Sequence, residues 1–155
     1  MKALIFTGFL ICSTLTFGQD TLLTKSDSIV EIAKAQIGVP YKYATSNPDV
    51  SFDCSGFTYY VYSSCDVPSS RSSKAYGKLG TKVSLETCQP GDCMIFSGTA
   101  AGSTTIGHVG IVLSNDENGI KFIHCSSSKK HFGVVVTDYY NSNYPKRFLQ
   151  VRRLY

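Results

Sequence analysis

One cysteine and two histidines in this chain are of the types, and at the spacings, that nucleophilic chemistry requires. Cys54 stands in Asp53-Cys54-Ser55-Gly56, and Phe57, Val61 and Cys65 follow at helical intervals, so a helix is predicted to begin at Cys54 or Ser55. A thiol at a helix start meets the positive end of the dipole and unpaired backbone N–H groups, both favouring thiolate. The histidines are His108, His124 and His131. His108 lies in the apolar run 106–113 and His124 in the run 120–125. Between them, Asp116-Glu117-Asn118-Gly119 reads as a hairpin turn.

Whether the two imidazoles meet is a question of parity. Side chains alternate along a strand, so a hairpin loop of three or five residues puts His108 opposite Ser126, with His124 diagonal to it on the same face. An even loop separates them. A Cys–His–His relay therefore demands an odd loop or a compensating bulge. In such a relay Cys54 attacks a carbonyl carbon, His108 takes the thiol proton and returns it to the leaving amine, and His124 orients His108. The N–H of Cys54 is placed to hold the oxyanion. A thiolate–imidazolium pair of Cys54 and His108 would give a bell-shaped pH dependence of kcat/KM. Gly107 and Gly110, beside His108, are expected to leave room for a substrate backbone.

Other chemistries fit less well. Four residues lie between Cys88 and Cys93 where zinc ligands commonly have two, and His124 and Cys125 point to opposite faces of a strand, so no metal site is expected. Cys88 and Cys93 could instead close the Gln89-Pro90-Gly91-Asp92 turn as a disulfide. His131, beside Lys129 and Lys130, reads as a solvated loop residue. A strand histidine is also commonly structural.

The elements that must position these residues follow from pattern. Ser26 and Asp27 precede an amphipathic helix that stops near Gly38-Val39-Pro40. Residues 40–53 read as loop, and residues 67–80 as a polar stretch with a short helix at Ala75 and Tyr76. About five strands follow, at 92–96, 106–113, 120–125, 132–137 and 148–155. Helices first and an antiparallel meander after them make an α+β fold.

At 155 residues, with 43% hydrophobic and 17% charged residues, the chain suits one packed domain and excludes a disordered one. A net charge of +4 without a basic recognition helix argues against nucleic-acid binding. Lys2 followed by an apolar run to Gly18 reads as a signal peptide over residues 1–18, leaving a domain at 19–155. Export is thus expected, to the periplasm or cell envelope or as a secreted protein. Cys12 would leave with the leader. The odd number of cysteines that remain (Cys54, Cys65, Cys88, Cys93 and Cys125) keeps at least one thiol unpaired in an oxidising compartment.

Taken in order, the motifs resemble those of the NlpC/p60 cell-wall cysteine peptidases, which have a papain-like core. Gly38-Val39-Pro40-Tyr41, Phe52-Asp53-Cys54-Ser55-Gly56-Phe57, Pro90-Gly91-Asp92, Gly107-His108-Val109-Gly110 and Phe122-Ile123-His124 followed by Gly133-Val134-Val135 carry the likeness. The resemblance implies hydrolysis of peptidoglycan stem peptides, commonly between D-glutamate and a diamino acid such as meso-diaminopimelate. It implies Cys54 as nucleophile, His108 as base and His124 as third residue, with no cofactor or metal and a monomeric enzyme. It also implies Tyr41, Asp53 and Ser55 as holders of a free N-terminal L-alanine, although Asp53 and Ser55 serve equally as caps of the Cys54 helix. Ala44 stands where such sequences usually have glycine. Two alternatives are an amidase of the related CHAP type, cutting the muramyl–L-alanine bond, and a catalytically silent wall-binding module.

Overall fold

A computed structural model describes residues 23–155 apart from Ala101, so the expected leader and Cys12 lie outside the described residues. The first helix, α1, is Lys25–Lys34. Its cap is Thr24, two residues before the Ser26-Asp27 pair the sequence suggested, because Thr24 and Asp27 form a reciprocal capping box that satisfies two orphan donors at once. A two-residue ribbon, β1 (Ser46–Asn47) and β2 (Ser51–Phe52), leads into α2, Cys54–Ser63. A short 3-10 helix, Ser73–Lys78, covers the predicted Ala75–Tyr76 position.

The rest is an antiparallel sheet. Its strands are β3 (Thr81–Val83), β4 (Cys93–Ser97), β5 (Ile106–Asp116), β6 (Gly119–Ser128), β7 (His131–Asp138) and β8 (Phe148–Arg153), in the order β3-β8-β4-β5-β6-β7. All five predicted strands are present. The sixth, β3, has three residues and an exposed edge with no apolar run, so nothing in its pattern announced it. Arg152 of β8 ties this edge down by donating to the carbonyls of Leu79 and Gly80 at 2.7 and 2.8 Å.

The sheet divides the apolar interior in two. On one face Ile29 and Ala33 of α1 and Phe57 and Val61 of α2 pack against Cys93, Ile95, Val109, Ile111, Ile123 and Cys125. On the other face Met94, Phe96, Val112, Phe122 and Val151 pack with Cys88 and Tyr139. β4 is buried along its whole length, as a strand covered on both faces must be. The partition also settles a sequence expectation. Cys88 and Cys93 lie in opposite cores, so they form no disulfide, and all five cysteines of the described residues are free thiols.

Ala44 has φ +61°, a left-handed conformation that L side chains adopt at a cost of about 1–2 kcal/mol. That is the physical reason for glycine at the corresponding place in similar sequences. Ala44→Gly should therefore stabilise the protein, by about 0.5–1 kcal/mol once the looser unfolded chain is counted. A urea midpoint that stays put or falls would show the turn is unstrained.

Candidate active site

Cys54 is the first residue of α2, and the helix start is built by its neighbours. Asp53 is the N-cap and accepts from the Gly56 N–H at 2.6 Å. Its two carboxylate oxygens each take a guanidinium N–H of Arg71 at 3.3 Å, and Ser55 donates to Oδ1 at 3.1 Å. Ser55 also donates to the Arg71 carbonyl at 2.8 Å. Gly56 has no alternative, since a Cβ there would collide with the Thr45 carbonyl and Arg71 Nη1. Asp53 and Ser55 thus have a full structural role. They nevertheless border a cleft of about 460 Å³ together with Tyr41, Cys54, Arg71 and Gly107. Tyr41 is held there by a bridge to Phe52 and an edge contact with Phe132.

The histidines come together by the second of the two routes parity allows. Near the turn Asp116 pairs with Gly119 and Ser114 with Lys121, which leaves the two-residue loop Glu117-Asn118. Gly119 takes φ +98° and neither loop residue has positive φ, as in a type I turn closed by a left-handed glycine. Such an even loop would put His108 and His124 on opposite faces. Between Val112 and Ser114 the register shifts by one, and Val112 then pairs with Phe122 and Ile111 with Ile123. Leu113 is the extra residue, and this bulge restores the face. His108 Nε2 and His124 Nδ1 are 3.0 Å apart as a result.

The pair is set in an aromatic frame. Phe122 stacks on His124 at 4.9 Å between ring centroids, and Phe96 lies 6.1 Å from His108. His124 Nε2 is 2.9 Å from Thr137 Oγ1 on β7. Tyr144 brings its hydroxyl to 3.4 Å from both His108 Nε2 and His124 Nδ1. Thr137 was within reach of sequence reasoning, because the Lys129-Lys130 turn pairs His124 with Val135 and so sets Thr137 diagonal to His124. Tyr144, in a 3-10 turn beyond a polar loop, gave no signal.

Gly107 and Gly110 are held to glycine by packing. A Cβ on Gly107 would lie 2.6 Å from the Gly98 Cα, and one on Gly110 would lie 2.9 Å from the Ile123 carbonyl and 3.0 Å from the His124 Cβ. Packing of the strands and of His124 by itself requires glycine at both positions, and Gly107 also borders the Cys54 cleft. Cys125 points away from His124 and donates to the Phe52 carbonyl at 3.2 Å. His131 is exposed at the start of β7, where it borders a second cavity. Among the described residues no group of three or more His, Cys, Asp or Glu is arranged to hold a metal ion.

Burial raises the Cys54 thiol above its ordinary value, and the Asp53 carboxylate adds to this. The N–H groups of Ser55, Val109 and Cys54 itself pull the other way. Burial, helped by the Arg147 cation, brings His108 down to about 3. Both directions favour a neutral thiol and a neutral imidazole at rest over a thiolate–imidazolium pair. Alkylation of Cys54 by iodoacetamide, followed by mass spectrometry, should therefore accelerate with pH up to and beyond 9.0. A rate already level at neutral pH would establish the resting ion pair instead.

Residues 38–153 match the sequence profile of the NlpC/P60 family. The chain belongs to this family. It is 33% identical over 136 residues to the probable endopeptidase NlpC of Escherichia coli, covering 83% of this chain and 82% of that protein. It is 34% identical over 121 residues to the gamma-DL-glutamyl hydrolase of Bacillus subtilis, covering 78% of this chain but only 28% of that longer relative. Among solved structures, the NlpC/p60 domain of the peptidoglycan hydrolase SagA superposes with a TM-score of 0.63 at 27% identity, covering 83% of this chain and 98% of that one. The antiparallel sheet with helices packed on one face is thus the NlpC/P60 arrangement.

Proposed function

We propose that this protein is a cysteine endopeptidase that hydrolyses peptidoglycan stem peptides at the bond between D-glutamate and the diamino acid. The observation that carries the reading is the hydrogen-bonded chain from His108 on β5 through His124 on β6 to Thr137 on β7, with β5 packed against the helix that Cys54 begins. In it a neutral His108 with its proton on Nε2 donates to His124 Nδ1, and His124 donates from Nε2 to Thr137 Oγ1. That tautomer leaves His108 Nδ1 as the acceptor for the thiol proton. As the thiol loses that proton, Cys54 Sγ bonds to the carbonyl carbon. The C–N bond then breaks as His108 protonates the departing amine. Water hydrolyses the thioester, its proton passing through His108 back to sulfur. The N–H of Cys54 at the helix start serves the oxyanion. His124 keeps the ring of His108 oriented and supports its charge.

The names of the relatives, an endopeptidase and a gamma-glutamyl hydrolase, support this reaction class. Tyr41, Asp53 and Ser55 border the Cys54 cleft and would receive the amino terminus of the peptide. Asp53 would do so while keeping its partner Arg71. The leader read in residues 1–18 supports action in the periplasm or cell envelope.

Mass spectrometry of purified muropeptides incubated with the protein tests the bond. A product split after D-glutamate is expected, with faster cleavage of peptides whose L-alanine is free than of those still joined to the glycan. Release of the intact stem peptide from muramic acid would make the protein an amidase, and no cleavage with the thiol reduced would make it a binding module.

A further inference from the structure

The imidazole relay has a further polar neighbour that the mechanism above leaves idle. Tyr144 Oη lies 3.4 Å from His108 Nε2 and 3.4 Å from His124 Nδ1, so it straddles the 3.0 Å bond between the two rings. Its place is fixed from several sides. The Tyr144 ring meets Phe96 at 4.8 Å and Phe122 at 4.9 Å between centroids, edge on in both cases. The Arg147 guanidinium lies 5.3 Å from the ring centroid, and it is itself anchored by donating from Nε and Nη2 to the Ser97 carbonyl at 3.1 and 2.6 Å. The backbone is pinned as well, since the Tyr144 N–H donates to Ser142 Oγ at 3.2 Å.

The proton transfer gives an oxygen at that place something to do. When His108 takes the thiol proton on Nδ1 its ring becomes a cation, and the charge is shared with Nε2–H. Burial and the Arg147 cation both oppose that charge. Among the described residues no carboxylate pairs with either ring. The acceptors within reach of Nε2–H are neutral ones, His124 Nδ1 and Tyr144 Oη. Burial pushes the Tyr144 phenol up to about 12, so it remains a neutral hydroxyl with lone pairs to offer. A single N–H can be shared between two acceptors in a three-centre bond. At 3.4 Å the Tyr144 branch is long beside a neutral ring, and it strengthens when the donor is charged. Only an interaction that strengthens on the way to the transition state accelerates the reaction.

We propose that Tyr144 is a positioning residue of this relay, its hydroxyl oxygen being the second acceptor for His108 Nε2–H and steadying the imidazolium while Cys54 attacks. The inference rests on the peptidase reading above and adds a residue to it. Tyr144 works through His108, and its phenol neither gains nor loses a proton, so the proton path from Cys54 to the leaving amine is unchanged.

Tyr144→Phe removes that oxygen and keeps the ring against Phe96, Phe122 and Arg147, so the thermal midpoint should not move. With a stem peptide as substrate, kcat should fall about fivefold at unchanged KM, the scale of one hydrogen bond. The same substitution made in the His108→Ala protein should add no further loss, whereas a residue that only supports the fold would cost alike in both backgrounds. A second readout needs no turnover. In the Cys54→Ala protein with isotope-labelled histidine, NMR should place the shared proton on His108 Nε2, and Tyr144→Phe should quicken its exchange with solvent about fivefold. An unchanged kcat, a loss confined to KM, or an equal loss in both backgrounds overturns the assignment. So does a shared proton on His124 Nδ1, or an exchange rate that stays put. If the wild-type protein cleaves no stem peptide while the exchange difference is present, the peptidase reading falls and the place of Tyr144 in the relay stands. Cleavage with the same kcat in Tyr144→Phe leaves the peptidase and removes Tyr144 from its relay.

Discussion

A Cys54→Ala variant should cleave stem peptides at least ~10,000-fold more slowly than wild type while keeping its thermal midpoint. The thiol is half-buried at a helix start whose cap, Asp53, and whose packing residues, Phe57 and Val61, do not depend on it. His108→Ala should cost ~100- to 10,000-fold, the range of a lost general base. His124→Ala should cost less, because it removes the residue that orients the base and leaves the base present. Activity of His108→Ala within about tenfold of wild type would end the assignment of that residue as the base.

Asp92 should prove the most sensitive position for stability outside the apolar core. It is fully buried. Oδ1 and Oδ2 accept from Arg153 Nε and Nη2 at 2.8 Å each, and Oδ2 also takes the Gln89 N–H at 2.8 Å. The same short turn is stitched to β5, where the Gly91 N–H donates to the Val112 carbonyl and the Val112 N–H to that of Asp92. Asp92→Ala removes the acceptor for three donors and should cost about 3 kcal/mol by urea denaturation. Arg153→Met should cost more than Asp92→Asn, because Arg153 retains 28% side-chain exposure whereas the orphaned Asp92 would have none. Losses under about 1 kcal/mol in all three variants would show that this pair is dispensable.

Much of this architecture was legible from periodicity and motif order. The α2 start and the five long strands were each specified by local pattern. The parity argument posed the right alternatives for the hairpin and could not choose between them. A bulge at Leu113 changes no residue type, and its stability comes from burying Val112 and Phe122 in one core and Ile111 and Ile123 in the other. β3 escaped because three exposed residues carry no period, and its pairing is fixed by β8 from the far end of the chain. The role of Asp53 was doubly readable as a cap and as an ammonium ligand, and only Arg71, eighteen positions away, reveals how firmly it is engaged. Tyr144 and Arg147 join the site through the chain's return from β7 to β8, a long-range event with no local trace.

The partition of the interior by the sheet has a mechanical consequence. His108 and His124 sit on adjacent strands of one lattice, so their separation is a stiff coordinate. Cys54 rides on α2, which packs on Val109 and Ile111, so its position relative to His108 is set by side-chain packing of helix on sheet. The His108–His124 separation is thus fixed by the strand ladder, and the thiol's place by the packing of α2. A change at the α2 interface should therefore move the thiol and leave the 3.0 Å contact of His108 with His124 in place.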